Sequence, residues 1–310
     1  MLIASALERI IDTVLDFRPS GFFHAELQRQ HFDRASRSLN AVLDTFLRGH
    51  VGHRLLQIVR ALSAEALARL ILAPETACRL FLGERTDLVF FLGSSVAEHR
   101  RMGFIDGDPH PAWTALGDAY YPPNSHEAEF FSEGWVPERL YAAKTLACGI
   151  PLDSVSPYAA APTSGVPIPC VPLEPEKVRR VIEKLNEAVA TIAATSAEAA
   201  EIVTSHIRVI VARQDPLAPT TSGSFSCEWY PGRATLLNPQ EDCVDVADLA
   251  DSLIHEAIHS MLYVVQVDEP LIKSSNDIRW LRITSPWSGR SLQLHSIVHA
   301  LSLLKTLSAL

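Results

Sequence analysis

The sequence predicts an α+β protein, predominantly α, and three observations carry that prediction. Apolar residues recur at three-to-four spacing through most of the first 82 positions, with charged residues on the opposite faces. A β-branched run at His206–Val211 is followed by a hairpin pattern over 223–237, with Pro231-Gly232 at its turn. A second helical pattern then holds His255-Glu256-Ala257-Ile258-His259. The expected layout is a helical N-terminal half, and a C-terminal half in which a small antiparallel sheet precedes the motif helix.

The helical half reads as segments over 2–17, 25–49, 52–61 and 63–82. Ser63 followed by Glu65 starts the last of these, and Pro74 interrupts or kinks it. Leu88–Phe91 is too short a run to assign to helix or strand. Residues 104–126, rich in Gly, Pro, Asp and aromatics, read as a long ordered loop. Seven prolines between 151 and 175 mark a linker or strap, dividing a 1–150 helical domain from a 176–310 catalytic domain. Beyond it, Val178, Val181, Ile182, Leu185, Val189 and Ile192 fall at helical spacing. Ser196 opens a further helix, and Asp242 or Asp245 can cap the motif helix.

Bulk composition narrows the class of function. With 47% apolar and 20% charged residues, the 310-residue chain has the make-up of a globular protein. A net charge of −9 argues against nucleic acid or an anionic membrane as a general partner. No apolar run approaches the roughly 20 residues that span a bilayer. The N-terminal stretch carries Glu8, Arg9 and Asp12 within its apolar pattern, so it reads as an amphipathic helix and not a signal peptide. Cytoplasm is the expected location. Five scattered cysteines without a CxxC pair suit reduced structural thiols.

The chemistry concentrates on the motif. His255 and His259, one helical turn apart, project from one face and can grip one divalent ion as neutral imidazoles. Glu256 lies about 100° round the helix, within reach of a metal-bound water. The apolar neighbours Leu253, Ile254, Ala257, Ile258, Met261 and Leu262 predict a buried helix. A third ligand must come from elsewhere. The extended HExxHxxGxxH pattern is absent, and no downstream acidic residue sits in a convincing helix. His295 and His299 are better candidates, four apart in the apolar pattern SLQLHSIVHALSLLKTLSAL, which reads as a helix. One would complete the site; the other would support it or fill the core.

The segment Ser285-Pro286-Trp287-Ser288-Gly289-Arg290-Ser291-Leu292-Gln293-Leu294-His295, taken with Leu253–His259, resembles the HExxH-containing peptide-modification proteins. These are a bacterial family of 2-oxoglutarate-dependent peptide β-hydroxylases associated with ribosomally made, post-translationally modified peptides. The resemblance covers roughly residues 205–300 and is diffuse over the first half. It implies a zincin-like C-terminal half in which His255, His259 and His295 hold Fe(II), leaving positions for a bidentate 2-oxo acid and oxygen. It also implies that Arg290 pairs with the far carboxylate of 2-oxoglutarate, with Trp287 as a possible pocket wall. The expected product is a peptide hydroxylated at Cβ, and the expected partner a precursor peptide.

Glu256 has an obvious task in a hydrolase and none in an oxygenase. A zinc metallopeptidase with Glu256 as general base therefore remains the alternative, and a non-catalytic peptide-binding protein a second one. The helical half carries no catalytic constellation, so recognition of the peptide is its natural role. The short stretch after His295 leaves little helix to pack, so the expectation is a closing element that is either missing or supplied by a second copy of the chain, hence a possible homo-oligomer.

Overall fold

The computed structural model describes residues 21–46, 50–82, 88–103, 110–122, 140–159, 173–215, 218–268, 282–284 and 291–293. Within them the protein is predominantly helical, with one mixed sheet and two small antiparallel ones.

The N-terminal part comprises α1 (Gly21–Phe46), α2 (His50–Ala61), α3 (Ala64–Ile71), α4 (Pro74–Ala77) and α5 (Leu88–Arg101), with a π-helical turn over Cys78–Leu82. Ser63 caps α3 as expected: its hydroxyl accepts from the Ala66 N–H at 3.1 Å. Pro74 breaks the expected 63–82 helix. It sits in the first turn of α4, where its missing N–H leaves no bond unmade. The short apolar run at Leu88 proves to be the first turn of α5.

The expected loop over 104–126 is partly strand. β1 (Ala112–Trp113), β2 (Ala119–Tyr121) and β3 (Tyr141–Ala142) form a small antiparallel sheet. Gly117, at φ +72°, makes the reversal between β1 and β2, and its neighbours Thr114 and Asp118 share a 2.6 Å hydrogen bond. Gly and Asp here are turn residues of a hairpin too short to show a period of two.

The main sheet has five strands in the order β4 (Lys144–Thr145), β5 (Pro151–Asp153), β6 (Val209–Arg213), β8 (Arg233–Leu237), β7 (Gly223–Phe225). β5, β6 and β8 are mutually parallel, and only the outer strands run antiparallel to their neighbours. The sheet is therefore mixed, not the purely antiparallel one expected. The connection from β5 to β6 is the cause. α6 (Pro175–Thr195) and α7 (Ala197–His206) lie between them, and such a crossover returns the chain parallel. Ser196 caps α7 through Ala199 N–H at 3.1 Å, as its position predicts. The expected strand at 206–211 is shifted, since α7 runs to His206 and β6 starts at Val209.

Both faces of the sheet are covered. Ile210, Ala212, Ala234 and Leu236 pack into a core with α6, α7 and α8 (Val246–Asp268). Val209 packs on the other face with Leu55, Leu70 and Phe91 of the N-terminal helices. A parallel strand buried on both sides carries no polar alternation, as β6 illustrates.

The sheet draws strands from both sides of residue 150, and residues 151–153 of the expected linker are β5 itself. α1 likewise spans both cores. Its Leu27 joins that of α6–α8, while Ala35, Leu39 and Leu43 join that of the N-terminal helices. Buried Arg233 on β8 pairs with buried Glu75 on α4, tying the sheet to the helices that cover it. No helix among the described residues is long and apolar enough to cross a membrane. The four described cysteines are free thiols, and burial pushes Cys78 and Cys227 above the ordinary thiol range.

Candidate metal centre

The motif helix α8 is held at its start, along one face and at its end. Just before it, the Lys184 ammonium of α6 donates to three backbone carbonyls, those of Pro239 (3.2 Å), Glu241 (2.6 Å) and Val244 (2.7 Å). A flexible cation with three donors suits a turn whose carbonyls converge. Leu253, Ala257, Ile258, Met261 and Leu262 form the buried face, against α6, α7 and β8. At the far end Arg34 of α1 donates to the carbonyl of Val267, one of the last-turn carbonyls that no intrahelical N–H can reach.

On the opposite side His255, His259 and Tyr263 fall four residues apart in one stripe. The stripe is not buried as expected: the His255 side chain is 38% exposed. The helix hides its apolar face in the core and turns the imidazoles outward, where a ligand can reach them. Their Nε2 atoms converge to 3.0 Å, with ring centroids 4.6 Å apart. Two nitrogens each about 2.1 Å from one ion stand about 3.0 Å apart at a right angle and about 3.4 Å apart at the tetrahedral angle. The pair thus fits a shared ion with little rearrangement. Tyr263 stacks beyond His259 at 6.0 Å and 17° between planes. Burial raises its phenol well above the usual range, so it is neutral at any working pH.

Glu256 lies on the adjoining face and is 1% exposed. Its Oε1 accepts from the Ser224 hydroxyl at 2.7 Å and stands 3.9 Å from His255 Nε2. Its Oε2 is buried without a hydrogen-bond partner among the described residues. Ser224 belongs to β7, the edge strand, and pairs in register with Leu236 of β8. Alternation along the strand accordingly aims Ser224, like Leu236, at the helix side of the sheet.

Of the residues expected from sequence, the structure brings together His255, His259 and Glu256. His295, Arg290, Trp287 and His299 lie outside the described residues. The strands flanking the Ser285–Arg290 segment, β9 (Arg282–Thr284) and β10 (Ser291–Gln293), pair antiparallel, with Ser291 opposite Thr284. Ser291–Gln293 is thus strand where the apolar pattern suggested the start of a helix. Among the described residues no group of three or more His, Cys, Asp or Glu side chains could hold a metal ion.

Ser224 and Tyr263 belong to no motif in the sequence. Extending the His255–His259 stripe by one more turn would have reached Tyr263. Ser224 gives no such sign, because its role depends on which strand lies at the sheet's edge. Compared with protein-family models and with curated proteins, the chain matches none.

Proposed function

We propose that the chain is an iron(II)- and 2-oxoglutarate-dependent oxygenase that hydroxylates a peptide side chain at Cβ during maturation of a ribosomally made peptide. The observation that carries the reading is the convergence of His255 and His259 at 3.0 Å on the open side of α8. The Ser285–His295 segment adds, by resemblance, the third histidine and the arginine that such chemistry requires. We read the C-terminal half as zincin-like. That reading is supported by a motif helix packed with α6 and α7 on one face of a mixed sheet, whose edge strand reaches the motif glutamate.

On this reading His255, His259 and His295 hold Fe(II) through neutral imidazoles, and Arg290 pairs with the distal carboxylate of 2-oxoglutarate. The metal, when bound, supplies oxygen activation coupled to oxidative decarboxylation of the oxo acid. The chain's own part is positional. The Leu253–Leu262 face fixes the helix, the outward stripe admits the cosubstrate, and neutral Tyr263 walls the far side of His259 without adding charge. Trp287 would close the pocket beside Arg290.

The test is direct. Protein loaded anaerobically with Fe(II) receives 2-oxoglutarate, oxygen and its precursor peptide, and mass spectrometry reads the peptide. A gain of one oxygen with stoichiometric succinate supports the reading; no turnover of oxo acid or peptide sinks it.

The buried carboxylate of Glu256 beside the histidine pair favours a second reading, a zinc metallopeptidase with that carboxylate as base. Cleavage of the peptide by zinc-loaded protein, abolished in Glu256→Gln, would establish it instead.

A further inference from the structure

Glu256 is the one motif residue that the oxygenase reading leaves without a task, and the structure surrounds it unevenly. Oε1 is engaged by Ser224 at 2.7 Å, whereas Oε2 is buried with no partner among the described residues. A carboxylate oxygen removed from water without a donor is costly, while one that receives a hydroxyl proton is fixed in direction. The donor sits on the edge strand, so the bond also ties α8 to β7 at the level of the histidine pair.

We propose that Ser224 is a positioning residue for Glu256. It donates to Oε1, the oxygen that stands 3.9 Å from His255 Nε2, and so fixes the direction in which that oxygen faces a donor bound at the His255–His259 pair. The donor class follows from the charge: a neutral or cationic O–H or N–H group, since a second anion would be repelled. Glu256 then acts through one oxygen. It holds the donor at a fixed angle. This inference rests on the oxygenase reading for the ligand, but the Ser224–Glu256 coupling can be measured without it.

The experiment is a double-mutant cycle with Ser224→Ala, Glu256→Ala and both together, with Ser224→Thr as the conservative control. In metal-free protein the cycle is read by denaturant unfolding. The two substitutions are expected to be non-additive by at least about fivefold in the folding constant, as for groups in direct contact. Titration with Co(II) alone follows, read in the visible ligand-field bands. Ser224→Ala should still bind one ion per chain but with shifted bands, and Ser224→Thr should keep the wild-type spectrum. In the iron-loaded oxygenase assay Ser224→Ala should lower turnover about tenfold, the scale of a hydrogen bond to a charged group, and should add nothing to Glu256→Ala. Additive effects on unfolding, or a Ser224→Ala spectrum identical to wild type, overturn the proposal. Absence of turnover in wild type with coupling still present in unfolding and Co(II) spectra overturns the oxygenase reading instead, and leaves Ser224 as the anchor of Glu256.

Discussion

Asp245 and Asp248 hold each other's backbone at the start of α8. The Asp248 N–H donates to Asp245 Oδ1 at 2.8 Å, and the Asp245 N–H donates to Asp248 Oδ2 at 3.0 Å. Two donors that the helix cannot satisfy internally are met reciprocally, and both carboxylates lie at the positive end of the helix dipole. Asp245→Ala removes one bond and exposes the other, so a loss of about 1 kcal/mol in unfolding free energy is expected. Chemical denaturation of the two proteins checks it. Asp245→Asn, which keeps the acceptor, should lose less than half as much; an equal loss would show that charge, not capping, is responsible.

Much of this start was legible beforehand. Asp245 was a candidate cap, Ser63 and Ser196 cap where their positions suggested, and Pro231-Gly232 precedes β8 as the hairpin pattern required. These features are local, set by residues three or four apart. What the sequence did not disclose depends on distant partners. Residues 144–153 read as the edge of a helical half because β4 and β5 are only two and three residues long. Only pairing makes them strands, β5 with β6 and β4 with β5. The exposure of His255 departs from the expected burial for a related reason: the apolar neighbours that predict burial occupy the other side of the same helix. Ser224 carries no signal of its own, since it becomes part of the site through β7's place at the sheet edge.

Two buried groups give stability opposite dependences on pH. His206 Nε2 lies 2.8 Å from His24 Nδ1 at the α1–α7 contact, and burial lowers His206 to about 3. The unfolded chain binds this proton near the ordinary value of about 6.5. Its contribution is therefore complete above that pH and is lost as pH falls. Asp153, bonded to Ser156, is raised by burial to about 6, so its contribution runs the other way, growing as pH falls through 6. Between pH 6.5 and 5 each is worth roughly 1–2 kcal/mol by proton linkage, with opposite signs. Relative to wild type, His206→Gln should gain stability over that interval and Asp153→Asn should lose it. Unfolding at several pH values checks both; parallel curves for all three proteins would rule out the linkage.

Gly117 tests the packing behind Asp153. At φ +72° it occupies a conformation that L side chains rarely adopt, and an added Cβ would stand 2.6 Å from both Asp153 Oδ2 and Ser156 Oγ. Neither can retreat, because their mutual bond and the N–H donors of Val155 and Ser156 fix them. Gly117→Ala should cost about 2–4 kcal/mol, from backbone strain together with overpacking. Gly149, also at positive φ but with nothing within 4 Å of an added Cβ, isolates the backbone part, and its Ala variant should cost no more than about half as much. Thermal unfolding of the two variants makes the comparison.

The histidine pair makes the last prediction. If His255 and His259 share one ion, a metal binds the folded chain through neighbours on a helix that the unfolded chain lacks, and binding must raise stability. Free ion at about 100 times its dissociation constant should add roughly 2.7 kcal/mol, seen as a higher unfolding temperature that chelator reverses. His255→Ala and His259→Ala should each fold, because the His255 side chain is partly exposed and neither belongs to the apolar core. Each should lose the metal-dependent shift while keeping the metal-free unfolding temperature within a few degrees. The sign of pH dependence follows from the ligands: imidazoles must lose their protons to bind, so the shift should shrink as the solution is made more acidic. A shift that survives both substitutions would place the metal elsewhere in the chain and remove the ground for reading α8 as the centre of the chemistry.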